Sequence, residues 1–159
     1  MNIPESDFEI RLLSDEFYKM YQSPPFDEIL KKNNRPYNCI LFQTHYDYYI
    51  CVPYRSEITH SYAFHFKKSS RSRKHKSGLD YSKIVIINKD CYIGNKQAIL
   101  DKDEYNETIK NIRRIKQEAL TFVEAYIAHL NGTHLLDSQE FNRRYTYSTL
   151  KYFHSELGI

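Results

Sequence analysis

Short strand-like runs, some alternating apolar with polar residues and some continuously apolar, mark the chain between residues 8 and 87. After residue 100 apolar positions recur every three or four residues, so strands are expected first and helices after. Phe8-Glu9-Ile10-Arg11-Leu12 reads as a half-buried strand. Ser14, followed by Asp15 and Glu16, reads as the N-cap and first turn of a short helix reaching Tyr21, which Pro24-Pro25 ends. A second short helix is expected from about residue 25 to residue 32, burying Phe26, Ile29 and Leu30. Asn33-Asn34-Arg35-Pro36 then forces extended or turn geometry. Residues 37–44 and 48–54 are strand-like runs joined by His45-Tyr46-Asp47, the pattern of a β-hairpin with a short polar turn. Tyr62 to Phe66 alternates rings with small or polar residues and reads as a third strand. Lys83-Ile84-Val85-Ile86-Ile87 is the most apolar strand and belongs at the centre of a sheet.

Asp101 with Glu104 forms a capping-box signature, opening one long helix over 101–130 that ends at Asn131-Gly132. Ile109, Ile112, Ile115, Leu120, Phe122, Val123, Tyr126, Ile127 and Leu130 give it a broad apolar stripe. A last helix over 148–157 carries Leu150, Phe153 and Leu157 at spacings of three and four. Strands followed by helices predict an α+β fold with an antiparallel sheet rather than a parallel α/β sheet. At 159 residues, one domain spanning 1–159 suffices.

Composition is that of a water-soluble globular chain, and no apolar run approaches the roughly 20 residues of a spanning helix. The start, Met1 to Phe8, lacks the basic head and apolar centre of a secretory signal, so a cytoplasmic protein is expected. Cys39, Cys51 and Cys91 show no CxxC spacing and lie in strand-like runs, the setting of buried free thiols.

Charge changes the picture more. Lys67, Lys68, Arg71, Arg73, Lys74 and Lys76 put +6 into ten residues that contain no acid. The whole chain is +3, so everything outside that loop sums to −3, the difference of the two. The cationic character therefore belongs to one loop, and an anionic partner is expected there. Fifteen Tyr, nine Phe and no Trp supply many rings suited to stacking on bases, Tyr37 and Tyr54 among them. Arg113, Arg114 and Lys116 add a short basic patch.

Four Gly, with neither GxxxxGK[ST] nor GxGxxG, exclude the glycine-rich phosphate loops of nucleotide hydrolases and dinucleotide enzymes. The His residues do not cluster with carboxylates at metal spacing, and an odd separation puts His60 and His65 on opposite faces of a strand segment. No metal and no cofactor are expected. One constellation remains. Pro53-Tyr54-Arg55-Ser56-Glu57-Ile58-Thr59-His60 leaves the second hairpin strand, Arg35 precedes the first, and Lys83 opens the strand after the basic loop. Antiparallel pairing brings Arg35 and Arg55 close, so two cations, a hydroxyl and an imidazole are expected to face one pocket. Metal-free RNA cleavage needs such groups: a proton acceptor for the 2′-OH, a donor for the leaving 5′ oxygen, and cations around the phosphorane.

At these residues the chain resembles the toxins of type III toxin–antitoxin systems, the ToxN/AbiQ superfamily, most closely its CptN and TenpN branches. The matching blocks are Asn34-Arg35-Pro36-Tyr37, residues 53–64 (Pro53-Tyr54-Arg55-Ser56 through Phe64), Ser77-Gly78-Leu79-Asp80-Tyr81-Ser82-Lys83, and Ser148-Thr149-Leu150-Lys151-Tyr152-Phe153-His154. The resemblance implies a metal-independent endoribonuclease built on a strongly bent antiparallel sheet, like the MazF-type toxin barrels, with helices around it. It further implies cleavage of cellular mRNA to a 2′,3′-cyclic phosphate and a role in abortive infection and phage defence. Inhibition would come from a small pseudoknot-like, repeat-encoded antitoxin RNA that binds the toxin in a closed assembly.

Carried over, Ser56 matches the serine of the family's active-site turn, and Arg55 stands where ToxN has a threonine. Arg35 stands where ToxN has a lysine, which keeps the charge but removes easy proton exchange. Thr59, His60 and Lys83 match the CptN and TenpN pattern, with His60 the expected proton-transfer group because an imidazole exchanges protons near neutral pH. Lys67, Lys68, Arg71, Arg73, Lys74, Lys76, Arg113 and Arg114, with Tyr37 and Tyr54, are the expected RNA contacts. The rival expectations are a module that binds structured RNA without cutting it and a protein-interaction domain.

Overall fold

A computed structural model describes residues 8–30 and 37–159. Among the described residues seven strands form an antiparallel sheet: β1 (Phe8–Leu13), β2 (Asn38–Gln43), β3 (Tyr49–Arg55), β4 (Ala63–His65), β5 (Gly78–Asp80), β6 (Val85–Ile87) and β7 (Ile93–Gln97). Their order is β4-β5-β3-β2-β1-β7, with β6 on β3. The fold is thus α+β with an antiparallel sheet. Among the described residues β4 and β7 end the sheet without pairing to each other, so it is not closed into a barrel.

The hairpin forms as its pattern predicts, Cys39↔Pro53 through Gln43↔Tyr49. Cys39 to Phe42 and Ile50 to Tyr54 are buried, which is why these two strands read as continuous apolar runs rather than alternating ones. The second edge of β3 is divided. Tyr49 to Cys51 pair with β6, while Tyr54 and Arg55 pair with β5. Pro53, which has no N–H to give, lies between the two pairings.

The basic segment is the tip of the β4–β5 hairpin, closed at its base by Phe66 N–H donating to Ser77 O at 3.0 Å. It is no open loop. Ser69 Oγ caps a short helix, α2 (Ser70–His75), by accepting from Ser72 N–H at 3.0 Å. Gly78 returns the arm to the sheet between β3 and β4. A Cβ there would stand 2.2 Å from Phe64 O, so no other residue fits.

The first helix, α1 (Asp15–Met20), starts at Ser14 as expected. The second expected helix, over 25–32, does not form: its described part is a set of turns, and residues 31 and 32 lie outside the described residues. The single helix over 101–130 is two, α3 (Lys102–Lys110) and α4 (Ile112–Leu130). Asn111 makes the break. Its Nδ2 donates to Glu107 O at 2.8 Å, taking the carbonyl its own N–H would use in a continuous helix, and that N–H turns to Thr108 O. The expected capping box is absent as well, because Asp101 makes no side-chain cap and Glu104 points inward. In α4, Ile115, Ala119, Phe122, Val123 and Tyr126 are buried, the stripe that predicted it.

The α5 helix (Ser138–Tyr145), capped by Asp137, has no counterpart in the hydrophobic pattern. The last expected helix is a 3-10 turn, Thr149–Tyr152, followed after Phe153 by α6 (His154–Leu157). Cys39 and Cys51 are buried, but Cys91 is exposed, since it sits in a 3-10 turn and not a strand. Among the described residues no helix is long and apolar enough to cross a membrane.

Candidate functional site

The centre of the site is a carboxylate that sequence reasoning passed over. Asp80 ends β5 and is wholly buried. Its Oδ2 accepts from Arg55 Nη1 at 2.7 Å. Its Oδ1 accepts from Ser82 Oγ at 2.6 Å and Ser82 N–H at 3.0 Å, with His60 Nε2 3.2 Å away. Burial pushes the carboxyl's pKa up, but hydrogen bonds from His60, Ser82 and Arg55 outweigh it and hold the group below its ordinary value. Pairing of Arg55 with Gly78 and of Ala63 with Asp80 sets this geometry, because β5 carries the acid back beside the end of β3.

His60 is held at both nitrogens. Its Nδ1 accepts the Tyr62 backbone N–H at 3.1 Å, which places the neutral ring's proton on Nε2, facing Asp80 Oδ1 and, at 3.3 Å, Ser82 Oγ. This is not a Ser-His-Asp relay. There the serine and the acid bond opposite ring nitrogens, whereas here both crowd one while an amide holds the other. The expected proton-transfer role thus finds no free nitrogen on His60 in this arrangement. His65 does not lie on an opposite face. Its Nε2 donates to His60 O at 2.8 Å, and both rings line one groove.

Ser56 is half-buried, and its hydroxyl bonds to no described residue; Thr59 is exposed in the same turn. The turn is stapled to the arm, Glu57 N–H to His75 O and Ile58 N–H to Lys76 O at 3.1 Å. Glu57 and Lys76 both take left-handed backbone, φ 58° and 48°, a conformation that costs a non-glycine residue about 1 kcal/mol. Lys83 is half-buried in a 3-10 turn (Tyr81–Lys83) ahead of β6, not in the strand, and its Nζ donates to Tyr147 O at 2.7 Å. Burial lowers its pKa, Asp80 opposes this, and the charge on Arg55 adds to it. Arg35 lies outside the described residues.

Beside this network runs a groove of about 940 Å³ between the 58–68 segment and α3. Thr59, His60, Lys67, Lys68, Lys76, Lys110 and Arg114 line it, with Asp103 and Glu107 the acids present. Five Lys or Arg thus face two carboxylates, and both carboxylates are engaged. Glu107 accepts the backbone N–H groups of Lys67 and Lys68, and Asp103 that of Ser70. Those bonds dock the arm on α3 and leave the lysine side chains outside.

Other expected RNA contacts fall elsewhere. Arg71 gives Nη2 to the buried Glu104 at 2.6 Å, whose other oxygen accepts from Ser77 Oγ at 2.7 Å, so Arg71 pins the arm. Tyr54 is a core residue, 4% exposed, with its hydroxyl 3.0 Å from Thr108 Oγ1, and has no ring face for a base. Tyr37 is half-buried near Lys83. Arg73, Lys74 and Arg113 are exposed outside the groove lining. Arg114 bonds Glu118 at 2.6 Å and lies over the Phe64 ring.

Asp80, Ser82 and Lys110 are the residues the sequence reading missed. Asp80-Tyr81-Ser82 does carry the local signal of an Asx-type turn, an acid two residues before the amide it accepts. Among the described residues no group of three His, Cys, Asp or Glu is placed to hold a metal ion. No family model, no curated protein and no solved structure matches the chain.

Proposed function

We propose that this chain is a metal-independent endoribonuclease of the toxin type, cutting single-stranded RNA by attack of the 2′-OH on the adjacent phosphorus. The observation that carries this is the cationic groove running onto the Arg55–Asp80–His60–Ser82 network at His60. The groove holds the backbone, and Arg55, aimed by Asp80, meets the scissile phosphate. Ser56, whose hydroxyl bonds no described residue, donates a hydrogen bond to a phosphorane oxygen.

Lys83, which burial shifts toward the neutral amine, takes the 2′-OH proton. The 2′ oxygen then bonds phosphorus and the P–O5′ bond breaks. The leaving oxygen takes a proton from solvent, giving a 2′,3′-cyclic phosphate and a 5′-OH, and the Lys83 ammonium returns its proton to solvent. In this reading His60 and Asp80 position Arg55 and do not touch the reacting atoms.

The reading extends to cytoplasmic action on cellular mRNA and to inhibition by a small repeat-encoded antitoxin RNA filling the same groove in a closed assembly. It extends also to the bent, barrel-like sheet of the MazF-type toxins, for which the divided edge of β3 at Pro53 is a suitable hinge. A second reading, an RNA-binding module that cuts nothing, is favoured by one observation: both nitrogens of the only imidazole in the Asp80 network are occupied.

Incubation with adenine-rich single-stranded RNA in EDTA separates the two. Shortened RNA supports the nuclease. Intact RNA at high protein concentration, with salt-dependent binding retained, supports the module.

A further inference from the structure

We infer that a second pocket, across the Ser61–Ala63 ridge from the groove, receives one nucleobase of the RNA strand that the groove holds by its phosphates. The inference rests on the RNA reading above and adds where a base goes. The pocket has a volume of about 320 Å³, and it shares Ser61, Ala63 and Arg114 with the groove, so a strand in one can drop a base into the other.

Its walls are aromatic. Tyr62, half-buried, lies near-parallel to His60 (26°, centroids 6.1 Å apart) and meets Phe122 at 6.2 Å, with Tyr81 beside them. Tyr62 therefore continues, as a ring face, the surface that begins at the Asp80 network.

The charges indicate a base rather than a phosphate. Two arginines line the pocket, and each is already bound to a carboxylate: Arg114 Nε donates to Glu118 at 2.6 Å and Arg144 Nε to Glu140 at 2.5 Å, an acid that Arg143 shares. Tyr81 also donates its hydroxyl to Glu118 at 2.8 Å. In the groove, by contrast, Lys67, Lys68, Lys76 and Lys110 have no ion pair among the described residues. An anion therefore goes to the groove, and a neutral planar ring goes to the pocket.

The exposed rim supplies a polar edge. Gln117 Nε2 donates to Thr121 Oγ1 at 3.2 Å, which leaves the Gln117 carbonyl oxygen as an acceptor and the Thr121 hydroxyl hydrogen as a donor. Side by side, they match the mixed donor and acceptor edge that every nucleobase presents.

The test uses a short adenine-rich oligoribonucleotide made uncleavable by 2′-O-methylation, with a single 2-aminopurine or a single abasic unit moved along it. One position is expected to show quenched 2-aminopurine fluorescence. An abasic unit at that position is expected to weaken binding about 5- to 150-fold, the range for losing one base–aromatic stack. Tyr62→Ala should abolish the quenching. Thr121→Leu, which fills the pocket from an exposed helix position, should weaken the intact strand but not the strand that is abasic there.

A flat abasic scan, or full affinity in Thr121→Leu, with salt-dependent binding intact, overturns the pocket alone. Failure of every oligonucleotide to bind at low salt overturns the RNA reading together with it.

Discussion

Replacing Asp80 with Asn removes one charge from the centre of the site at almost no change in volume. The amide can still accept from Ser82 through Oδ1, but it turns an N–H₂ toward the Arg55 guanidinium, a donor facing a donor. Breaking a wholly buried ion pair costs about 3–5 kcal/mol. Arg55 retains 30% side-chain exposure and can turn to water, so the expected loss is smaller, about 2–3 kcal/mol.

The loss has a pH signature. The Asp80 carboxyl lies below its ordinary value of 3.8 in the folded protein, so its contribution is complete above that value and fades as pH falls through the folded one. Urea unfolding of wild type and Asp80→Asn should differ by the full amount at neutral pH and converge under acid conditions. In Arg55→Met the same Asp80 change should cost at least about 1 kcal/mol less, the coupling expected of neighbours in one network. A difference under about 0.5 kcal/mol at neutral pH, the size of a featureless surface change, would refute the claim that Asp80 organises the site.

Lys83→Arg puts a permanent cation there, which cannot take up a proton near neutral pH. RNA cleavage should fall about 10²–10⁴-fold with RNA affinity unchanged, as read by single-turnover kinetics and filter binding. Arg71→Ala should cost about 1–3 kcal/mol in urea unfolding by stranding the buried Glu104. The Lys67→Ala, Lys110→Ala pair, which removes two groove cations, should leave stability nearly unchanged and weaken RNA binding at every sequence, as read by filter binding. Gly78→Ala should cost about 3 kcal/mol, because a Cβ 2.2 Å from a backbone carbonyl is relieved only by parting β5 from β4; circular dichroism melts check this.

The parts of the molecule that were legible in the sequence are those fixed by local pattern. The β2–β3 hairpin follows from two apolar runs and a polar turn, α1 from Ser14 and the acids behind it, and α4 from its apolar stripe. The parts that were not legible depend on partners distant in sequence. The α2 helix has no buried residue and no apolar stripe, and α3 holds its arm through acids about thirty residues further on. The break at Asn111 turns on one side-chain amide taking one carbonyl, which no periodicity records.

At the site, residue type alone singled out Arg55, His60 and Lys83, and the structure sets Arg55 and His60 against one carboxylate. Asp80 gained its place only from the register of β5 on β3 and β4, and that register also converted His60 from a free imidazole into a held one. Tyr54 failed as an RNA contact for a similar reason, since its ring lies inside the sheet's packing with its hydroxyl on Thr108.

End-group analysis of RNA treated with wild type and with Ser56→Ala in EDTA tests the central claim most directly. The account predicts fragments ending in 2′,3′-cyclic phosphate and 5′-OH from wild type and at least a hundredfold fewer from Ser56→Ala, which should still bind the RNA. Undiminished cutting by Ser56→Ala, 3′-OH ends, or RNA left whole by the wild type would contradict it.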